Sequence, residues 1–277
     1  MGKVYQQLCT VSVEPQECKD DTCQGSTSGI LINARQNVVL THASLLYPME
    51  QYLTEKFLSN IKACGKLDNV TFKTKVNVEV TFPNTKVYDS EVSQNTDKIF
   101  STVVSAGSTN DISYLNTYKG KIISVFTVKK LKDILKTLLP NDQWKFEHEM
   151  RAASSGNEQN HQPVSHSNEQ LYYNLLSCFV LIQLQAPGVR IPSQLTFQAA
   201  TESMVGNPVE ICATPFGSMN PRVFLNSLSH GILSKVAGPS GVLLMTDARC
   251  VPGCEGGALF LVKGNKRFPC SHLVQCV

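Results

Sequence analysis

Gly253-Cys254-Glu255-Gly256-Gly257, with Ala258-Leu259-Phe260 behind it, is the stretch that decides how this chain is read. Three glycines around two side chains mark a backbone that bends sharply, and the apolar run after them reads as a strand. On a glycine-flanked turn of this kind, acyl-transfer chemistry places a hydroxyl. The turn's N–H groups then point at the oxygen that becomes negative during attack on a carbonyl. Here that position holds Glu255. A carboxylate is a poor nucleophile toward a peptide, and its charge repels the developing oxyanion.

Two more groups complete such a site: an imidazole that takes the hydroxyl proton, and a carboxylate that holds the imidazole in the right tautomer. Thr41-His42-Ala43 closes an apolar run, Val38-Val39-Leu40, in the manner of a general-base histidine. Ahead of it, Gly25-Ser26-Thr27-Ser28-Gly29 leads into Ile30-Leu31-Ile32 and a polar turn over residues 33–37, so residues 30–42 read as a hairpin. For the third group, Asn174-Leu175-Leu176 stands before a strand-like run with an amide where an acid is expected, and Asp111-Ile112-Ser113 competes with it. Both stay open. His42 reads equally as a base or as a structural cap at a strand end. Cys254, one residue before Glu255, is the alternative nucleophile, since a thiol beside His42 is chemically competent.

Composition sets the frame. The chain has 277 residues, a net charge of +3 and ordinary apolar content, enough for one large all-β domain or two small ones. Its basic residues are scattered, which argues against nucleic acid as a partner, and Lys129, Lys130 and Lys132 read as one solvated helix face. No apolar run reaches ~18 residues, and no h-region follows Met1, so neither a membrane span nor a secretory leader is expected. The ten cysteines are then expected as thiols. Cys18 with Cys23, and Cys250 with Cys254, lack zinc-knuckle spacing, and His161 and His166 read as solvated loop histidines, so no metal or cofactor is expected.

Residues 76–82 alternate apolar and polar as a half-buried strand does. Further strands are expected over 121–128, 179–184, 209–213, 242–246 and 258–262, and helices over 49–64 and 129–139, the latter stopped by Pro140. Residues 152–170 are polar and read as a disordered loop. These runs divide the chain into an amino-terminal segment (1–24), a domain over 25–262 and a carboxyl-terminal tail (263–277).

The motifs resemble a family. Ala213-Thr214-Pro215-Phe216-Gly217, Gly231-Ile232-Leu233-Ser234, and Thr246-Asp247-Ala248-Arg249-Cys250-Val251-Pro252-Gly253 with Glu255-Gly256-Gly257 look like the amino-terminal half of the peroxisomal leader peptide-processing proteases. The resemblance covers residues 210–260 closely and 25–46 loosely. It implies an all-β, trypsin-like double barrel carrying a long helical and disordered insertion. In that family two trypsin-like halves follow one another, and the second carries the working serine and the peroxisomal address.

The resemblance therefore implies a catalytically silent, truncated shell with degenerate positions His42, Asn174 and Glu255 and a turn of Gly253, Cys254, Gly256 and Gly257. Its expected partners are an active protease half or the full-length protease, and leader peptides of imported matrix enzymes. A homo-oligomer stays open, as does the choice of peroxisome or cytosol.

Overall fold

A computed structural model describes residues 5–18, 23–84, 115–139, 166–185, 197–217, 219–238, 241–264 and 266–273. The chain is mostly β. Strands β1 (Leu8–Pro15), β2 (Gly25–Asn33), β3 (Val38–His42), β4 (Lys66–Asp68), β5 (Val76–Pro83), β6 (Leu115–Thr127) and β7 (Cys178–Leu184) make one antiparallel sheet in the order β4-β6-β5-β1-β2-β3-β7. An additional β6–β7 pairing joins the ends, so β6, β5, β1, β2, β3 and β7 close into a six-stranded barrel. Closure depends on β6. Residues 115–119 pair with β5, and from Gly120 onward the strand runs beside β7, with a register shift between Ile122 and Ser124, while β4 pairs with residues 124–126. Such a shift bends a strand enough for a sheet to meet its own edge.

The barrel is filled from alternating positions, among them Val11, Val13, Leu31, Val39, Val78, Val80, Ile122, Val180 and Ile182. A 3-10 helix, Ala43–Tyr52, and helix α1, Glu55–Lys62, cap one end with Leu45, Leu46, Met49 and Phe57 buried. Helix α2, Lys129–Leu138, follows β6, and helix α3, His166–Leu175, precedes β7.

The second sheet contains β8 (Pro208–Ala213), β9 (Ser227–Ala237), β10 (Leu243–Thr246), β11 (Ala258–Lys263) and β12 (Lys266–Leu273), in the order β10-β9-β8-β11-β12. Its own core contains Val209, Ile211, Leu233, Cys254, Leu259 and Leu261. This all-β plan of a closed six-stranded barrel followed by a second antiparallel sheet, in which five strands are described, is the all-β class expected from the sequence.

The hairpin and the strands expected at β5, β7, β8, β10 and β11 form where the periodicity put them, whereas β6 begins at Leu115, ahead of the expected 121–128 run. Other expectations need correction. Residues 166–170, assigned to the polar loop, are the first half of α3, while 152–165 lie outside the described residues. Lys132 does not share the solvated face of Lys129 and Lys130. It is buried, and its ammonium donates to the carbonyls of Ile61 (3.0 Å) and Lys62 (3.2 Å). A cation there sits at the carbonyl end of α1, where the helix dipole favours positive charge. Residues 8–15 and 266–273, set apart in the sequence as end segments, are strands β1 and β12.

Two polar clusters tie the halves together. One surrounds the buried Glu210 of β8. Arg267 of β12 reaches both its oxygens through Nε (3.0 and 3.2 Å), His230 lies 3.0 Å from Oε2, and the Tyr5 hydroxyl donates to Oε1. Burial alone would push this carboxyl up, but the Arg267 and Tyr5 hydrogen bonds prevail and hold it below the ordinary glutamate range. Tyr5 also stacks edge-on against Phe260 at 5.7 Å, so the amino-terminal segment is clamped onto the second sheet.

The other cluster is Ser28 of β2. Its N–H donates to the carbonyls of Glu255 (2.8 Å) and Gly253 (3.1 Å), its hydroxyl donates to Gly253 O (2.8 Å), and that hydroxyl accepts from Thr214 N–H (2.7 Å). Ser28→Ala would strand a buried Thr214 donor and is expected to destabilise the chain by about 1–3 kcal/mol in denaturant unfolding. Ser59→Ala, on the exposed face of α1, should change stability by less than about 0.5 kcal/mol.

Candidate functional site

The glycine turn needs its glycines. Gly253 has φ +95° and Gly256 φ +80°, and a Cβ on Gly256 would lie 2.2 Å from Ser28 O and 3.0 Å from the backbone N of His42. The turn is thus pressed against β2 and against the backbone of the histidine that the sequence singled out. Cys254 N–H donates to Val251 O and Gly257 N–H to Cys254 O, each at 3.0 Å, which completes the bend.

At its apex the Glu255 side chain folds back rather than out. Oε2 accepts the Gly253 N–H at 2.8 Å, and the carboxyl also accepts the N–H of Glu255 itself. On an acyl-transfer turn, backbone N–H groups of this kind receive the oxyanion. In this chain a side-chain carboxyl already occupies two of them. Glu255 is only 8% exposed. Burial pushes its carboxyl above the ordinary range, and the two N–H bonds offset part of that rise.

His42 is held just as firmly, in a different role. It caps the 3-10 helix: Nδ1 accepts from Ser44 N–H (3.2 Å) and lies 2.9 Å from Ser44 Oγ. Nε2 lies 3.2 Å from the carbonyl of Leu176. A carbonyl can only accept, so Nε2 carries the proton and Nδ1 the lone pair. A working base needs the reverse: a proton on Nδ1 facing an acid and a lone pair on Nε2 facing the nucleophile. The ring is 1% exposed and stands edge-on to Phe179 at 5.7 Å. Burial lowers its pKa to about 4, against a smaller opposing pull from the Leu176 carbonyl, so the ring is neutral at pH 7.

The remaining candidates fall elsewhere. Asn174 lies in the last turn of α3, not at a strand start, and its Nδ2 donates to Gln170 O (2.7 Å), one turn back. β7 begins only at Cys178, so the connection from α3 delivers the Leu176 carbonyl, and not a side chain, to His42. Asp111 lies outside the described residues. Cys254 turns into the second core with Val209 and Ile211, and burial pushes its thiol up to about 11, leaving little thiolate at neutral pH. Among the described residues no group of three or more His, Cys, Asp or Glu side chains is placed to hold a metal ion.

Ser28 and the Leu176 carbonyl were not singled out from the sequence. The Gly-Ser-x-Ser-Gly hairpin was the available signal for Ser28, whereas a main-chain acceptor has no side-chain signature. The pinned ring has a measurable consequence. In 15N-histidine spectra His42 should stay neutral with Nε2 protonated across pH 5.5–8 and titrate near pH 4. Because its folded pKa lies below the unfolded ~6.5, the folded state resists protonation. Stability should fall as pH drops from about 6.5 toward 4, by up to roughly 3 kcal/mol, and His42→Gln should flatten that slope.

No family model matches the chain. Two curated relatives do, each over part of its length. One is the peroxisomal leader peptide-processing protease of Mus musculus, 40% identical over 103 residues, which are 36% of this chain and 18% of that protein. The other is the protein of the same name from Homo sapiens, 55% identical over 58 residues, which are 21% of this chain and 10% of that protein. The chain therefore matches less than a fifth of the length of either relative. Among solved structures, Rv3671c of M. tuberculosis H37Rv, as the inactive Ser343Ala mutant, aligns over 92% of this chain and 72% of its own at 10% identity and a TM-score of 0.38. The resemblance read from the motifs is thus met by relatives of that name, over partial stretches.

Proposed function

We propose that this chain is a catalytically silent trypsin-like domain that serves peroxisomal leader-peptide processing beside an active protease half or a full-length protease. The observation that carries this reading is the Glu255 carboxyl bound to the N–H groups of Gly253 and Glu255. A carbonyl substrate would meet neither a hydroxyl nor a vacant pair of donors. The His42 tautomer supports the same reading, because its Nε2 has no lone pair to offer. The relatives' names supply the process and the peroxisome. Among the described residues, no helix is long and apolar enough to cross a membrane.

A second reading, a peptide-holding module, has one observation in its favour. Phe216, in a left-handed conformation at φ +58° with its N–H on Pro252 O (2.7 Å), is 45% exposed beside the turn. Met219 nearby is 84% exposed. Side chains held in sparsely populated backbone states cluster at ligand clamps. In this reading leader peptides lie along the old cleft.

Fluorophosphonate labelling tests the main reading. The wild-type chain is expected to stay unlabelled, and so is Glu255→Ser, because the new hydroxyl would face no base. Labelling of either protein, or peptide cleavage by the wild type that is lost in His42→Ala, would overturn it. Micromolar binding of leader peptides, weakened at least tenfold in Phe216→Ala, would favour the holding role over a purely architectural one.

A further inference from the structure

Helix α2 is weak when taken by itself. Its N-cap, Val128, supplies no side-chain acceptor, and its first turn carries Lys129 and Lys130, whose charge opposes the positive end of the helix dipole. A helix of 10 residues is marginal in water even with good ends, so α2 owes its form to what it packs against. Those contacts come from both β units. Leu131 and Leu135 share a buried cluster with Leu176, and Phe179 of β7 lies against it together with Val242 and Leu243 at the start of β10. Ile134 reaches the residue after β9: its Cδ1 fills the space beside Gly238, where a Cβ would lie 1.7 Å away. Lys132 adds the tie to the end of α1.

The start of α2 is bonded to the element that pins His42. The Val128 N–H donates to the Ser177 carbonyl at 2.9 Å, and Ser177 follows Leu176, whose carbonyl accepts the Nε2 proton of His42. Phe179, edge-on to the imidazole, belongs to the surroundings of the same cluster. Packed side chains and two hydrogen bonds therefore run from Gly238 through α2 to the ring.

We propose that α2 is a detachable strut through which the position of the β9–β10 pair holds His42 in its buried, Nε2-protonated state. The strut has two states: docked and wound, or released and unwound. Release strips the cover from Leu176 and Phe179, so the carbonyl is no longer held against Nε2 and water reaches the ring. Because α2 has no cap of its own, displacing β10 removes what keeps it wound. Ser44, the Leu176 carbonyl and Phe179 meet the imidazole and none carries a charge, so its titration reports the entry of water. The coupling acts on the ring and does not depend on whether a peptide is ever bound or cut.

The test uses the full 277-residue chain, with Ile134→Asn on the helix side and Val242→Asn on the β10 side. Both new side chains are uncharged and add no field at the ring. Hydrogen exchange of the α2 amides and the 15N titration of His42 are read together. Both variants should unfold cooperatively and exchange the α2 amides at least about tenfold faster than the wild type. In both, His42 should titrate at roughly 5–6.5, toward its solvated value, instead of about 4. Leu138→Ala, at a position 41% exposed on the same helix, should change neither quantity. Faster α2 exchange with His42 still titrating near its wild-type value would overturn the coupling. Fully protected α2 amides in both variants would overturn the claim that the β9–β10 pair holds the helix. Loss of cooperative folding in both would make α2 part of the core and overturn the strut; if only one fails to fold, the other decides.

Discussion

Ser28 joins the two β units at the glycine turn. Its N–H, hydroxyl and carbonyl engage Gly253, Glu255, Thr214 and Thr41, at 2.6–3.1 Å. These partners come from the turn, from the end of β8 and from β3, so one buried residue fixes the turn against both the strand that carries His42 and the second sheet. The close approach is possible because Gly256 lacks a Cβ that would otherwise stand 2.2 Å from the Ser28 carbonyl. Everything about the site follows from that docking: the turn is rigid, buried and adjacent to His42, whatever side chain sits at its apex.

Given that scaffold, the apex side chain decides what the site can do. Glu255 is long enough to turn back and put its carboxyl on the N–H groups of residues 253 and 255. The result satisfies donors that burial would otherwise leave without partners, at the cost of holding a carboxyl in a poorly solvated place. His42 is likewise held by main-chain partners. Its two nitrogens serve the start of a helix and a carbonyl from the α3–β7 connection, and burial keeps the ring neutral against a smaller opposing pull from that carbonyl. In both residues the side-chain polar atoms are taken up by main-chain partners.

Much of this was legible in the sequence, and the reasons differ by element. The hairpin at β2 and β3 and the strand at β5 declare themselves because period-two alternation and turn residues act locally. The glycine turn was legible because positive φ and close approach have a compositional signature. Barrel closure by β6 was not, since a register shift near Ile122 depends on partners far along the chain. Lys132 misled because an amphipathic pattern cannot show that a neighbouring helix end offers carbonyls to an ammonium. Asn174 misled for a related reason: a helix running up to Leu175 replaces the extended entry into β7 that would have aimed its amide at His42. The mate of His42 is a main-chain oxygen, which residue identity does not encode.

The most direct test of the central claim is an NMR titration that follows the Glu255 side-chain carboxyl carbon together with the amide protons of Gly253 and Glu255. If the carboxyl caps these donors, all three signals shift in one transition, centred above the ordinary glutamate value. A carboxyl that titrates at the ordinary value while the Gly253 amide proton stays silent would contradict the account, because the donors would then be vacant and the side chain free in solvent.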